Sequence, residues 1–350
     1  MTSASQYASV LAKIGVERSK FLSETKIKGL SESKNIQEVA TQLRDSDYQG
    51  QVARIVPPIT GLKMERAFNE NFIESLLMII KNSPKKAGDF LKLYLLSYEV
   101  GHLKAILKSI NGKLSPEERL SKIYFQVEDY FGRHMLIEEA AKAPTLTHFV
   151  YLFKGSEYYS PLNLALKVHE ETGATAPFDI YLDRYYYEKL CERFQNLSSK
   201  AKEYAKFYAA MDNDTFTLLT VLRGKILNVD PNRLRIIIPQ KYFLLQKSDV
   251  ESLVSAVDFE SALKVTLQTP FGKYFSKTQD PYETVAKAEK IINQEVLDYA
   301  KKSRILESFS IGLPLGFLTM KRAEIHNLVA ASLGVEAGMK PEALCNLLLI

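Results

Sequence analysis

The sequence predicts an almost entirely α-helical protein, and three observations predict it. Apolar residues recur at three- and four-residue spacing in most windows of the 350-residue chain. Helix-start signals are frequent while alternating strand patterns are scarce. Two separate landmarks recur about every 110 residues, so the helices belong to a repeated unit.

The elements follow in order. Ile36, Val39, Leu43 and Tyr48 form the first landmark, an apolar stripe closed by an aromatic residue. Met64–Ile80 keeps Ala67, Phe68, Phe72, Leu76, Ile79 and Ile80 on one helical face. Glu99-Val-Gly-His102-Leu103-Lys-Ala-Ile106-Leu107 is the second landmark: an acid at i, a polar group at i+3, Leu at i+4 and apolar or small residues at i+7 and i+8. Ser115-Pro116-Glu117-Glu118 then starts a helix, with Ser as cap, Pro at the first position and acids in the first turn. Thr145, Thr147, Ser248 and Asp249 supply further starts.

Both landmarks return. Leu146, Phe149, Phe153 and Tyr158 repeat the first at an offset of 110, and Leu263, Leu267 and Phe271 form a weaker third set. Asp214…Thr217-Leu218…Val221-Leu222-Arg223 and Glu324…Asn327-Leu328…Ala331-Ser332 repeat the second, 115 and 110 residues on. Between them, Ile180–Phe194 and Ala286–Ala300 read as helices. Arg235-Ile236-Ile237-Ile238 is the one short β-branched run, ended by Pro239. Gly312-x-x-x-Gly316 flanks a proline and reads as a turn. Three helical modules follow, over residues 1–118, 119–239 and 240–350, each of ordinary domain size. Serial modules of one design build pseudo-symmetry about an axis or along a line, a shape suited to holding something in a concavity.

Composition bounds the function. A hydrophobic fraction of 46% with 25% charged residues is that of a globular chain. Two cysteines, Cys191 and Cys345, make neither a disulfide framework nor a cysteine zinc site. A net charge of +5 permits an acidic partner without pointing to nucleic acid. The N-terminus lacks the basic flank and apolar core of a signal peptide, and apolar runs fall far short of the ~20 residues of a membrane span.

No catalytic, cofactor or metal site is expected. Gly112-Lys113, Gly224-Lys225 and Gly272-Lys273 are followed by Leu, Ile and Tyr, so no phosphate-binding G-x-x-x-x-G-K-[ST] loop exists. None of the five histidines sits in H-E-x-x-H. Glu99, Asp214 and Glu324 have two open readings: structural carboxylates that satisfy helix ends or pair with a base, or a lining where a pseudo-symmetric unit meets a partner. Basic clusters at Arg233/Arg235, Lys287/Lys290, Lys301-Lys302-Ser-Arg304 and Lys321-Arg322 read as solvated helix faces or as a patch for acidic loops.

These residues carry a resemblance. Asp214-x-x-Thr217-Leu218-x-x-Val221-Leu222-Arg223-Gly224-Lys225 resembles the D-x-x-N-L-x-x-L-L-R-x-K element of the C subunit of archaeal and bacterial A/V-type ATP synthases, related to the d subunit of the vacuolar proton ATPase. Tyr7, Ala8 and Leu11, the stretch 30–48, the stretch Leu182–Leu190, and Pro314–Phe317 before Lys321–Leu328 are similar to it as well, so the likeness runs nearly the whole chain. The chain departs where His102 and Thr217 replace the family's Asn, kept at Asn327, and where Leu333 replaces a basic residue such as Arg223. The resemblance implies three similar helical domains around a pseudo-threefold axis, forming a funnel-like socket with no active site or cofactor. It implies the D and F shaft subunits and the membrane proteolipid ring as partners, with neither nucleic acid nor small-molecule substrate. The place would be the cytoplasmic face of the membrane, touched only through the ring, in a complex coupling ATP synthesis or hydrolysis to proton or sodium transport. Glu99, His102, Asp214, Thr217, Arg223, Glu324 and Asn327 would be structural or shaft-facing. A helical-repeat scaffold of another cytoplasmic complex is the alternative.

Overall fold

The computed structural model describes residues 3–306 and 309–349, the side chains of 3–5 and 303–306 excepted. Arg304 of the expected basic cluster therefore lies outside the described side chains. Among the described residues the chain is all-helical, without a strand. The helices are α1 (Ser3–Arg18), α2 (Glu24–Ser31), α3 (Ile36–Gln42), α4 (Gln49–Val52), α5 (Gly61–Asn82), α6 (Lys85–Asn111), α7 (Pro116–Leu120), α8 (Phe125–Phe131), α9 (His134–Ala141) and α10 (Leu146–Leu152). They continue as α11 (Tyr159–Thr172), α12 (Ala176–Gln195), α13 (Ser199–Ile226), α14 (Pro231–Ile237), α15 (Lys247–Ser255), α16 (Phe259–Gln268), α17 (Pro281–Leu306), α18 (Gly312–Glu336) and α19 (Pro341–Cys345). No described helix is long and apolar enough to cross a membrane.

Two compact units form. One draws on both ends of the chain: the described residues up to Asp89, Ser198–Tyr208, and those from Lys290 onward. The other comprises Phe90–Leu197 and Ala209–Glu289. In the first unit, α18 packs against α5 and α2. Gly61 lets α5 approach, since a Cβ there would lie 2.6 Å from Leu333 Cδ2. In the second, α11 packs on α12 and α15 on α16. The boundary expected after residue 118 falls inside α7.

The repeat is written into local geometry. Asn35, Thr145 and Asp258 cap α3, α10 and α16 by accepting from Glu38, His148 and Ser261 N–H groups at 3.0, 3.1 and 2.8 Å. Thirteen residues after each cap stands a buried aromatic ring: Tyr48, Tyr158 and Phe271. Two residues before each ring, a hydroxyl (Ser46, Ser156, Thr269) donates to the preceding turn and accepts the ring residue's N–H.

This register corrects the third landmark. The equivalents of Ile36, Val39 and Leu43 are Phe259, Ala262 and Thr266, all buried, and not Leu263 and Leu267. Leu267 is 47% exposed. The slip arises because α16 carries apolar residues on adjacent stripes, and only burial tells which one faces the core.

The long helices α6, α13 and α18 carry the acids and end alike. Lys113, Asn228 and Gly338, each fourteen residues past its acid, adopt left-handed φ of 57°, 53° and 69°. The next N–H groups, of Leu114, Val229 and Met339, reach back to Ser109, Gly224 and Gly334 carbonyls at 2.9, 2.8 and 2.9 Å, a Schellman closure. Pro116, Pro231 and Pro341 then open α7, α14 and α19 at a position where no amide is needed.

Two further sequence expectations are corrected. The β-branched run 235–238 lies in and just past α14, because Asp230 and Pro231 impose a helix start that outweighs β-propensity. Gly312 and Gly316 sit in the buried first turns of α18 instead of a turn; Pro314 is tolerated there because first-turn N–H groups lack intrahelical partners.

Candidate functional site

Each acid helix presents its carboxylate to the start of a short helix. In the first unit, Glu324 is 6% exposed. It accepts from the Leu22 N–H at 2.6 Å, immediately before Ser23, the cap of α2. The Tyr48 hydroxyl donates to its other oxygen at 2.5 Å. Lys321, only 1% exposed, lies 3.5 Å from that carboxylate and 2.9 Å from Asp47, with its ammonium 4.4 Å from the Tyr48 ring centre. Lys20 completes the balance on Asp47 at 3.2 Å. Lys321 is thus a buried partner and not part of a solvated basic face, which corrects the sequence expectation.

In the second unit, Asp214 is fully buried and has no basic partner among the described residues; amides hold it instead. Leu244 and Leu245 N–H donate at 2.6 and 3.0 Å, Phe243 N–H at 3.1 Å, and Asn213 Nδ2 at 2.8 Å. These amides lead into α15. Leu22 and Leu245 occupy equivalent places, one residue before the caps Ser23 and Gln246. Glu99, also fully buried, pairs with Arg133, the cap residue of α9, and accepts from the Tyr158 hydroxyl at 2.5 Å. The Arg133 guanidinium lies 5.1 Å from the Tyr158 ring centre and reaches Glu157 at 2.6 Å.

Burial raises the protonation pKa of all three carboxyls. Glu99 is pushed up to about 7, against the pull of Arg133. Asp214 rises by burial, opposed by its amide donors, and Glu324 by burial, opposed by Lys321 and Tyr48.

The polar group at i+3 does a second job. Asn327 donates to the Leu349 carbonyl at 2.8 Å and accepts its N–H at 2.7 Å. His102 Nε2 accepts the Tyr124 N–H at 3.1 Å, while Nδ1 meets Glu128 Oε1 at 2.5 Å. Leu349 and Tyr124 both lie 22 residues downstream of their partners. The same step from Thr217 reaches Pro239, which has no N–H to give. Thr217 turns back to the Asn213 carbonyl of its own helix at 3.0 Å. A missing donor explains why Thr suffices there.

Arg223 differs from these buried groups: it is exposed and pairs with Glu289 at 2.5 Å. The remaining sequence candidates are placed as follows. Arg235 pairs with Glu251, and Lys287 with Glu283. Cys191 is buried, its thiol pushed up to about 11 by burial, which suppresses the thiolate. Among the described residues no group of three or more His, Cys, Asp or Glu could hold a metal ion.

Sequence reasoning missed two cations. Arg119 donates to the Ala141 and Ala143 carbonyls at 3.1 and 2.7 Å, and Lys225 to those of Val254 and Ala256 at 2.6 Å each. Both satisfy the last carbonyls of equivalent helices, α9 and α15. The Lys225 of the repeat motif is visible in the sequence, but nothing in its spacing shows the helix end it meets.

The chain is 24% identical to the C subunit of the A-type ATP synthase of Methanocaldococcus jannaschii, over 98% of this chain and 86% of that protein. It is 22% identical to the same-named protein of Pyrococcus abyssi, over 95% and 87%. Identity to that of Methanothermobacter thermautotrophicus is 25%, over 96% and 85%. The model of the ATP synthase (C/AC39) subunit family matches residues 10–347, and the chain belongs to that family of non-catalytic subunits of the rotary ATPase.

Proposed function

We propose that this protein is a central-stalk subunit of an A/V-type ATP synthase that couples the D and F shaft subunits to the membrane proteolipid ring. It works mechanically, passing torque between ATP synthesis or hydrolysis and proton or sodium transport. Its place is the cytoplasmic face of the membrane, held there through the ring. We read the chain as three related helical modules, near 1–118, 119–239 and 240–350, set about a pseudo-threefold axis as a socket.

The observation that carries the reading is the latch built three times over: a buried carboxylate on a long helix holding the entry to a short one. A part that transmits torque has to keep its shape under load, and buried, fully bonded polar groups resist local opening. The repeat residues Glu99, His102, Asp214, Thr217, Glu324 and Asn327 belong, in this reading, to the framework and not to the shaft contact. Contact with shaft and ring then rests on broad surfaces of the framework, as a slip-resistant interface requires.

Affinity purification of the tagged chain from detergent-solubilised native membranes, with mass spectrometry, tests this. Recovery of head, shaft and ring subunits together is expected. A soluble set lacking them would overturn the reading in favour of a scaffold in another complex.

A further inference from the structure

The three copies of the repeat serve as controls for one another, and one end of the second unit departs from them. The left-handed closures, the prolines and the caps fix which positions correspond. Leu227 stands where the other copies have Gly112 and Ala337, Ile236 where they have Ser121 and Asn346, and Val257 where they have Lys34 and Pro144. All three residues are exposed, Val257 by 94%. Apolar residues scattered singly over a surface need no explanation, but three substituted at one end of one repeat do. The segments that carry them are tied together. Lys225 donates to the Val254 and Ala256 carbonyls at 2.6 Å each, and Arg235 Nη2 to Ser255 Oγ at 3.1 Å.

The same end carries an apolar groove. After the equivalent rings Tyr48 and Tyr158, the next helix has four residues in α4 and fourteen in α11. Likewise α14 has seven residues where α7 and α19 have five. With α12, the longer α11 and α14 enclose a groove of about 320 Å³ between Val168, Ile180, Val229, Ile236 and Ile237. Arg233 is the charged residue among those lining it, one helical turn from Ile236 and Ile237. Its guanidinium makes no hydrogen bond or ion pair among the described residues, whereas Arg235 pairs with Glu251. The equivalents of Arg233 are Glu118, which closes the capping box of α7, and Ala343. The acids in the last turn of α11, Glu170 and Glu171, do not line the groove.

We propose that this groove seats an amphipathic helix of a partner protein, with its apolar face on Ile236 and Ile237 and a carboxylate on Arg233. An apolar groove walled by helices takes a further helix through side chains spaced at i, i+3 or i+4, and i+7. Whatever covers Ile236 also strips water from Arg233. A buried unpaired guanidinium is costly, so the cover has to bring an acid with it. Leu227 and Val257 extend the apolar surface beyond the groove itself, which suits a protein segment and not a small amphiphile. The inference goes beyond the stalk reading and stands apart from it, since it holds whichever complex contains the chain.

Photo-crosslinking in native cells tests it, with p-benzoylphenylalanine at position 236 of the full chain and mass spectrometry of the joined peptides. The joined segment is expected to carry apolar residues at helical spacing with an Asp or Glu beside them. Arg233→Glu in the same chain should lower the yield by about tenfold or more, through like-charge repulsion, while Arg233→Lys keeps it. The same probe at 121 or 346 should not join that segment. Arg233 is exposed and unbonded, so its variants should melt with the wild type; if Arg233→Glu fails to fold, Arg233→Ala replaces it. Absence of an adduct, or an adduct to lipid, to a second copy of this chain or to a segment without a carboxylate, would overturn the proposal. So would a yield unchanged by charge reversal, or equal joining from 121 or 346.

Discussion

Tyr48 donates a 2.5 Å hydrogen bond to Glu324, 276 residues away, and so joins the first aromatic landmark to the last acid. Tyr158 makes the same bond to Glu99, 59 residues before it. Glu99 therefore holds the aromatic segment that follows it, and Glu324, the last acid, holds the first segment, within a unit built from both chain ends. Phe271 occupies the equivalent place without a hydroxyl, where Asp214 is satisfied by amides instead.

Removing either hydroxyl should be felt. Tyr158→Phe and Tyr48→Phe each take a charge-assisted donor from a buried carboxylate, and each should cost about 1.5–3 kcal/mol of unfolding free energy. Urea denaturation checks this. A loss below about 0.5 kcal/mol, within the noise of surface substitutions, would mean that the carboxylates are already satisfied by Arg133 and Lys321.

The left-handed residues offer the opposite change. Lys113→Gly and Asn228→Gly remove the Cβ strain of a positive φ and should each stabilise by roughly 0.5–1 kcal/mol, whereas Gly338→Ala should destabilise by about 1 kcal/mol. Thermal melts of the three variants would show opposite directions for equivalent positions.

A glycine beside a short helix predicts a clash. An added Cβ at Gly334 would lie 1.9 Å from Leu344 Cδ2, and one at Gly224 would lie 2.5 Å from Leu234 Cδ2. Both leucines are buried, so the rotamer must change: Gly334→Ala should cost about 1–3 kcal/mol, the range for overpacking. The pair Gly334→Ala with Leu344→Ala should cost less than the sum of the single changes, by a double-mutant cycle.

The i+3 residues should respond unequally. Thr217 bonds within its own helix, so Thr217→Val should cost under about 1 kcal/mol. Asn327→Leu strands the Leu349 N–H and carbonyl, and should cost about 2 kcal/mol or more for the two lost bonds. Equal losses in chemical denaturation would contradict the explanation offered by Pro239.

Much of the local structure was legible in the sequence. Ser115-Pro116 sets a capped start, since the cap hydroxyl and proline act on neighbouring amides. The stripe from Ala67 to Ile80 names its buried face through helical spacing alone. The acid landmark also stands in the structure at its sequence-read register, because Leu103, Leu218 and Leu328 are all fully buried. Where two stripes competed, as at Leu263 and Leu267, periodicity could not choose between them.

What the sequence by itself determined is the set of parts: all-helical, thrice-repeated, with caps, closures and acids at fixed spacing, because each of these depends on groups within a few residues of one another. Only the tertiary structure decided which parts meet. Spacing allows Glu99 to serve the segment before it or the one after it, and burial against Arg133 and Tyr158 selects the latter. The same holds for Lys321, whose place beside a basic neighbour suggested a surface cluster. Its ammonium is drawn inside by Glu324, one turn along the same helix at 3.5 Å, and by Asp47, 274 residues away in the chain, which packing brings to 2.9 Å.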